Sequence, residues 1–266
     1  MNISIATATF FYIPFKETLN LIKMAGFEYI ELDIYWKGGE NWEAGQHLNN
    51  IKPREVLKMV KESGLKISSL HDIGGVIHED SGSLITSDTY EYLEYGGDDI
   101  PCIVFHTPHK KTNDVDWWEK YKKKASADLQ ALRRKFLICI ENMIYFDGYQ
   151  VPLVNPTEML AFTIENKIFI NIDTTHYAEV GVDIVQAANI LKDCVKGIHL
   201  SDFKDGKNHL YIGEGDLDLK GFFNNLCLDN LHTITIECNI PYEHCNPNIA
   251  IQSMKQAQDY LKSIIW

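Results

Sequence analysis

The chain of 266 residues is 45% hydrophobic and 23% charged, a composition typical of globular proteins. Its formal net charge of −12 and its few arginines (Arg54, Arg133 and Arg134) disfavour nucleic acid as a partner, because such a surface repels polyanions and lacks bidentate donors. The N-terminus has no basic segment followed by a long apolar core, and no apolar run approaches the ~18 residues that span a bilayer. We therefore expect a cytoplasmic protein without membrane segments.

Short apolar stretches alternate with amphipathic segments along the whole chain. The stretches are residues 3–9, 29–34, 66–71, 102–106, 136–141, 168–173, 196–202 and 233–238. The intervening segments, such as "PREVLKMVKESGL", have the apolar spacing and the Gly or Asn ends of helices. This alternation predicts one domain over residues 1–266, an α/β (β/α)8 TIM barrel, with a doubly wound sheet as the alternative. The longest connections, 35–52 and 72–84, follow strands two and three and are expected to cover the active face of the barrel.

Six successive predicted strands present a residue that can bind a metal at their C-terminal ends. In chain order these are His71, His106, Glu141, Asp173, His199 and Glu237. Taken singly, such a residue more often caps a helix or makes one hydrogen bond. In a barrel, however, the C-terminal ends of all strands converge on one face. Three carboxylates gathered there would repel one another unless a cation compensated, and mixed His and carboxylate ligands suit Zn²⁺, Mn²⁺ or a similar ion.

Seven motifs in the chain resemble those of the xylose-isomerase-like TIM-barrel superfamily. They are "SLHD", "FHTP", "CIEN", "NIDTTH", "GIHLSD", "HLYIGEGD" and "TIEC", and the resemblance runs from about Ile3 to Trp266. This superfamily contains sugar and sugar-phosphate isomerases and epimerases as well as endonuclease IV-type nucleases of abasic DNA. The resemblance implies a divalent ion (Mn²⁺, Zn²⁺ or Co²⁺) bound by Glu141, Asp173, His199 and Glu237. In the epimerase branch the two glutamates also act as acid and base on opposite faces of the substrate.

The resemblance also assigns roles to four other histidines, which differ between the two branches. These are His71, His106, His176 and His209. In the nuclease branch the first two join Glu141 at a second metal and the last two help to hold a third. In the epimerase branch His176 contacts a substrate oxygen or a further metal. The chain departs from the nuclease pattern at Lys207, which replaces an aspartate, and from the ketohexose-epimerase pattern because no arginine follows "HLSD".

Further substrate contacts are expected from loops at the same face. Lys204, Lys207 and His209 follow strand seven, where barrels often bind phosphate, although a solvated lysine loop is an equally good interpretation. Trp36 follows strand two and could stack against a sugar. These features predict a small-molecule sugar or sugar-phosphate substrate. Because oligomers are common in the superfamily, a homo-oligomer is also possible.

The leading hypothesis is a metal-dependent isomerase or epimerase of a small sugar, polyol or sugar phosphate. Glu141 and Glu237 would transfer the proton beside a carbonyl that the metal polarises. One alternative is an endonuclease IV-like, zinc-dependent phosphodiesterase acting at abasic sites. The others are a related barrel lyase acting on a hydroxylated ring acid and a sugar-binding relative without catalytic activity.

Overall fold

The computed structural model describes residues 1–11, 13–34, 48, 51–73, 87–239 and 246–265. Trp36, predicted to contact the substrate, and most of the two long connections lie outside the described residues. Within the described part of the chain, no helix combines the length and the apolar character needed to cross a membrane.

Eight parallel strands close into a barrel, which confirms the predicted TIM barrel and excludes the doubly wound sheet. The strands are β1 (Asn2–Ala6), β2 (Tyr29–Ile34), β3 (Lys66–Asp72), β4 (Cys102–His106), β5 (Leu137–Glu141), β6 (Phe169–Asp173), β7 (Val195–Leu200) and β8 (Thr233–Ile236). Each strand pairs with its neighbours along the chain, and pairing of β1 with β8 closes the barrel. The C-terminal ends of all eight strands therefore lie at the same end of the barrel.

Helices occupy the crossovers between the strands. Those in the described residues are α1 (Phe15–Met24), α2 (Pro53–Ser63), α3 (Ser87–Gly96), α4 (Trp117–Leu132), α5 (Pro156–Asn166), α6 (Thr174–Glu179), α7 (Ile184–Leu191), α8 (Leu219–Asn224) and α9 (Pro247–Ile265). Helical spacing in the sequence indicates α1, α2, α4, α5, α7 and α9, whereas α3, α6 and α8 are not among the segments predicted from it. Two of the missed helices have only six residues, which is too short to show a helical period.

The predicted C-terminal ends of the first, seventh and last strands, residues 9, 202 and 238, lie two or three residues beyond the observed ends. β1 stops at Ala6, and a 3-10 turn follows because the carboxylate of Asp33 accepts hydrogen bonds from Thr7 Oγ1 and Ala8 N. β8 stops at Ile236, so Glu237 lies one residue beyond its strand.

Alternating residues of each strand face either the helices or the barrel interior. In β5, for example, Ile138 and Ile140 belong to the large hydrophobic core that includes residues of the surrounding helices, whereas Cys139 packs with Cys102 and Val104 in a small separate cluster. Because Glu141 is two residues beyond Cys139, the same alternation points its side chain into the C-terminal mouth of the barrel.

The pairing of β2 with β3 contains a one-residue shift. Ile30 pairs with Ile67, but the next pairs are Glu31 with Ser69 and Asp33 with His71, so that Ser68 is an extra residue. Side chains alternate between faces, so one extra residue changes which side chains of β3 point inward. The pair β6–β7 has the same kind of shift. Both shifts come just before residues of the candidate site.

Candidate active site

The four residues predicted as ligands of one metal come together at the C-terminal mouth of the barrel. Glu141 and Asp173 end β5 and β6, and His199 is the last residue but one of β7. One ligand atom from each of the three lies within 4.8 Å of the others. Glu141 Oε2 is 3.1 Å from His199 Nδ1, and Glu237 Oε2 is 2.9 Å from the same nitrogen. The first three are fully buried, whereas the side chain of Glu237 is 18% exposed. Glu237 therefore forms the solvent side of the cluster.

Several polar atoms of this cluster are buried without a partner in hydrogen-bonding geometry. They are Glu141 Oε1 and Oε2, Asp173 Oδ2, His199 Nδ1 and Nε2, and Glu237 Oε2, with Glu31 Oε1 and His71 Nε2 beside them. Leaving one such group unsatisfied costs about 1–3 kcal/mol, and more if it is charged. These atoms face one another instead of protein donors. Carboxylate oxygens and imidazole nitrogens converging in this way fit a divalent cation, which would satisfy both kinds of atom.

The cluster strongly perturbs the protonation of its own members. Burial lowers the pKa of His199, but Glu141, Glu31 and Glu237 outweigh burial and hold that pKa well above its ordinary value. Burial raises the pKa of Glu141, but the surrounding histidines reverse the effect and hold it well below the usual range. Without a metal, Glu141 is thus ionised and the neighbouring imidazole of His199 retains a proton that offsets its charge. A bound cation would replace that proton.

His71 and His106 approach Glu141 from β3 and β4. Their Nε2 atoms are 3.1 Å and 3.8 Å from Glu141 Oε2, and one ligand atom of each residue lies within 4.8 Å of the others. Burial lowers the pKa of His106 to about 3, so its imidazole is neutral near pH 7 and keeps a free lone pair. These three residues can therefore hold a second ion next to the first, with Glu141 shared between the two.

His176 and His209 form a third group with Asp173. One ligand atom of each lies within 4.8 Å of the others, and the two imidazole rings are perpendicular with centroids 5.5 Å apart. His176, on α6, places Nδ1 3.2 Å from Glu141 Oε1. His209 lies on the strand Lys207–Leu210 with a left-handed φ of 48°, and its Nδ1 is 3.0 Å from the carbonyl oxygen of Glu237. Both rings thus border the carboxylates of the cluster.

The two carboxylate oxygens of Asp173 have different surroundings: one caps a helix and the other lies in the candidate site. Asp173 Oδ1 caps α6 by accepting hydrogen bonds from His176 N at 2.7 Å and from Thr175 Oγ1 at 3.0 Å. Asp173 Oδ2 is one of the buried atoms without a hydrogen-bond partner. The motif "IDTTH" therefore combines a helix cap with a free ligand oxygen.

The two lysines expected to bind phosphate lie at the tip of a short hairpin. Strands Asp202–Lys204 and Lys207–Leu210 are joined by Asp205 and Gly206, which both have positive φ. Lys204 Nζ is 2.9 Å from Asp216 Oδ1, and both lysine side chains are exposed. Lys204 is therefore engaged by a surface carboxylate, and phosphate binding by these lysines remains a prediction.

The carboxylate of Asp202 explains why "IHLSD" and "GEGD" occur together. Asp202 Oδ1 accepts hydrogen bonds from the amides of Phe203 and Leu217, and Oδ2 accepts one from Gly213. A Cβ atom at Gly215 would lie only 2.2 Å from Asp202 Oδ1. The glycine thus lets the loop close around the carboxylate, and both motifs shape the loop that follows His209.

Sequence reasoning missed two acidic residues of the barrel interior, Glu31 and Asp33. Both lie on β2 and are fully buried. Glu31 Oε1 is 2.8 Å from His199 Nε2, and Asp33 Oδ1 is 3.0 Å from His71 Nδ1. The signal was present in "YIELDI": acids two positions apart on a strand share a face, and inside an apolar strand that face must offer them partners.

The sequence matches the family model described as "xylose isomerase-like TIM barrel" over residues 19–264. The chain therefore belongs to the xylose isomerase-like TIM-barrel family. No curated protein sequence matches it significantly.

Solved structures share the fold along practically the whole chain. A D-psicose 3-epimerase crystallised with D-fructose has a TM-score of 0.72 and 12% identity, covering 100% of this chain and 99% of the other. A D-allulose 3-epimerase from Methylomonas sp., in complex with D-allulose, has a TM-score of 0.68 and 16% identity, covering 99% and 96%. The IolI protein with a bound zinc atom has a TM-score of 0.67 and 15% identity, covering 100% and 98%. At these identities the likeness establishes the fold.

Proposed function

We propose that this protein is a metal-dependent isomerase or epimerase of a small sugar, polyol or sugar phosphate. The observation that carries the proposal is the set of buried, unpartnered oxygen and nitrogen atoms that converge at the mouth of the barrel. Membership of the family and the names of the structural neighbours, which are ketose epimerases, are consistent with it.

Glu141, Asp173, His199 and Glu237 would hold the divalent ion. When bound, such an ion supplies Lewis-acid polarisation of a substrate carbonyl, which acidifies the neighbouring C–H. Glu141 and Glu237 would transfer the proton, because both are ionised carboxylates and they enter the mouth from β5 and from the end of β8. If one glutamate removes the proton and the other returns it to the opposite face of the same carbon, that carbon is inverted. Return of the proton to the neighbouring carbon, with transfer of a hydroxyl proton to the former carbonyl oxygen, gives an isomer.

The other histidines would position the sugar. His176 and His209 border the carboxylates, and a neutral His106 can accept or donate a hydrogen bond to a hydroxyl group. Such contacts would take over from the arginine that follows "HLSD" in the ketohexose-epimerase pattern and is absent from this chain.

The proposal is tested by solvent-deuterium exchange. The protein loaded with Mn²⁺, Co²⁺ or Zn²⁺ is incubated in D₂O with ketoses, aldoses, polyol-derived ketones and their phosphates, and NMR detects deuterium beside the carbonyl. We expect exchange and an epimer or isomer with at least one substrate. Glu141→Gln and Glu237→Gln should each slow it about 10²–10⁴-fold. The matched control is Glu165→Gln, which changes an exposed carboxylate on α5. Absence of exchange with every substrate and every ion would refute the proposal.

An abasic-site phosphodiesterase is the second candidate, and the two additional histidine groups favour it. One contains His71, His106 and Glu141, and the other Asp173, His176 and His209. Against it stand the net charge of −12 and the exposed Lys207 in place of an aspartate. Metal analysis close to three zinc ions per chain, together with nicking of abasic DNA, would favour this candidate over the epimerase.

A further inference from the structure

We propose that Glu31 and Asp33 are positioning residues, which fix the tautomers of His199 and His71 and so aim one nitrogen of each ring at Glu141. The inference rests on the metal centre of the proposed function. It adds a role for β2, a strand that contains none of the predicted metal ligands. The two acids lie two positions apart on β2, so both side chains point into the barrel.

His199 approaches carboxylate oxygens closely through both ring nitrogens, and none of these contacts has hydrogen-bonding geometry. Nε2 is 2.8 Å from Glu31 Oε1, whereas Nδ1 faces Glu141 Oε2 at 3.1 Å and Glu237 Oε2 at 2.9 Å. When a neutral His199 ring donates to Glu31, its proton is on Nε2, because the carboxylate is then the acceptor. The lone pair is then on Nδ1, which faces the cluster and is free to bind a cation.

His71 has the opposite arrangement. Its Nδ1 lies 3.0 Å from Asp33 Oδ1 in hydrogen-bonding geometry, and its Nε2 lies 3.1 Å from Glu141 Oε2. In the neutral ring the proton is therefore on Nδ1 and the lone pair is on Nε2. Two acids on one strand thus select two different tautomers, and in both cases the free nitrogen faces the same oxygen of Glu141.

The two acids are themselves held in place by donors on neighbouring strands. Ser69 Oγ donates to Glu31 Oε2 at 2.6 Å, and Ser69 is the direct register partner of Glu31 across β2–β3. Thr7 Oγ1 and Ala8 N donate to Asp33 Oδ2 at 3.0 Å and 2.7 Å. Each acid therefore gives one oxygen to a fixed donor and turns the other towards an imidazole. This division leaves little freedom for either ring to rotate away.

The proposal is tested on Glu31 by replacing it with two residues of similar size. Glu31→Met removes the acceptor, whereas Glu31→Gln keeps an oxygen for His199 and an amide for Ser69. Zinc and cobalt affinities are measured by competition with a chelator, and ¹⁵N NMR of labelled histidines reads the tautomers in the zinc-loaded protein. We expect Glu31→Met to weaken affinity about 10- to 100-fold and to lose the Nε2–H form of His199. Glu31→Gln should keep that tautomer and most of the affinity.

Glu28→Gln is the matched control, because Glu28 lies just before β2 and pairs on the surface with Lys66. It should change neither affinity nor tautomer. Equal zinc affinity in Glu31→Met and the wild type would overturn the proposal. So would loss of one bound ion in Glu31→Gln with the tautomer intact, since Glu31 would then be a ligand. The NMR spectrum of the wild type is a further test. An Nδ1–H form of His199 in the zinc-loaded protein would contradict the assignment.

Failure of the proposed function gives a different result. A wild-type chain that binds zinc with the expected tautomers but exchanges no deuterium into sugars keeps the roles of Glu31 and Asp33 and loses the isomerase. Exchange into a sugar, with unchanged affinity in Glu31→Met, keeps the isomerase and removes the positioning role. A wild type that binds neither zinc nor cobalt overturns both.

Discussion

The side chain of Asn142 and the backbone of Asp173 exchange two hydrogen bonds. Asp173 N donates to Asn142 Oδ1 at 2.8 Å, and Asn142 Nδ2 donates to the carbonyl oxygen of Asp173 at 3.0 Å. The last register pair of β5 and β6 is Glu141 with Asn171, so this amide continues the pairing one step further towards the mouth. It holds Asp173 at the depth where its carboxylate can meet that of Glu141.

Asn142→Ala should therefore weaken both the fold and the metal site. Both hydrogen bonds are buried, so we expect the free energy of unfolding to fall by about 2 kcal/mol. Urea denaturation of the metal-free protein measures the loss, and chelator competition measures the accompanying drop in zinc affinity. Asn189→Ala, at an exposed position of α7, is the control and should be neutral or slightly stabilising. Equal stability of the two variants would contradict the role given to Asn142.

Asp202→Ala should loosen the loop that follows the hairpin formed by strands Asp202–Lys204 and Lys207–Leu210. The carboxylate accepts hydrogen bonds from three backbone amides. Because those donors lose their acceptor, we expect its removal to lower the free energy of unfolding by about 3 kcal/mol. Amide hydrogen exchange should accelerate at Gly213 and Leu217. Asp229→Ala, which removes an exposed acid, serves for comparison. Unchanged exchange at both amides would show that the loop is held by other contacts.

A divalent ion should stabilise the wild type but not a variant lacking one ligand. At a free zinc concentration 100 times the Kd, binding adds about 2.7 kcal/mol to the free energy of unfolding, and a chelator removes it. Glu237→Gln is the suitable variant because this glutamate is the most exposed of the four predicted ligands. Its metal-free Tm should resemble that of the wild type, while its rise with zinc should be much smaller. An equal rise in both proteins would remove Glu237 from the ligand set.

The affinity for the metal should increase with pH. Burial lowers the pKa of His199, but the surrounding carboxylates more than reverse this and hold it well above its ordinary value. The metal-free protein therefore keeps that proton across the neutral range, and the ion must displace it. Each displaced proton makes the apparent affinity about tenfold weaker per unit fall in pH. Calorimetry in two buffers of different ionisation enthalpy counts the protons released. Binding without proton release between pH 6 and 8 would contradict this protonation state.

The sequence predicts the barrel and the gathering of its strand ends because both follow from local patterns. The alternation of apolar stretches and helical segments specifies the fold, and in any barrel the residues that end successive strands share one face. The 3-10 turn after β1 could not be predicted in this way, since it depends on Asp33, a residue of the next strand.

The contacts of Glu31 and Asp33 could not be predicted from the sequence for a related reason. The alternation in "YIELDI" indicates that Glu31 and Asp33 share a face, but their partners depend on the register between strands. Nothing local distinguishes Ser68 from Ser69 as the extra residue of β3. The contacts of His71 and His199 with β2 therefore become visible only when the strands are aligned.

The extra residue at Ser68 has a consequence for engineering. Transferring this group of side chains to another barrel would require copying the length of the third strand as well as the residues proposed to bind or support a metal ion. Deleting one serine would leave every functional residue in the gene and yet rotate an imidazole outward, into the layer of helices. In this part of the molecule, the number of residues in the strand determines the site as much as the chemistry of its side chains does.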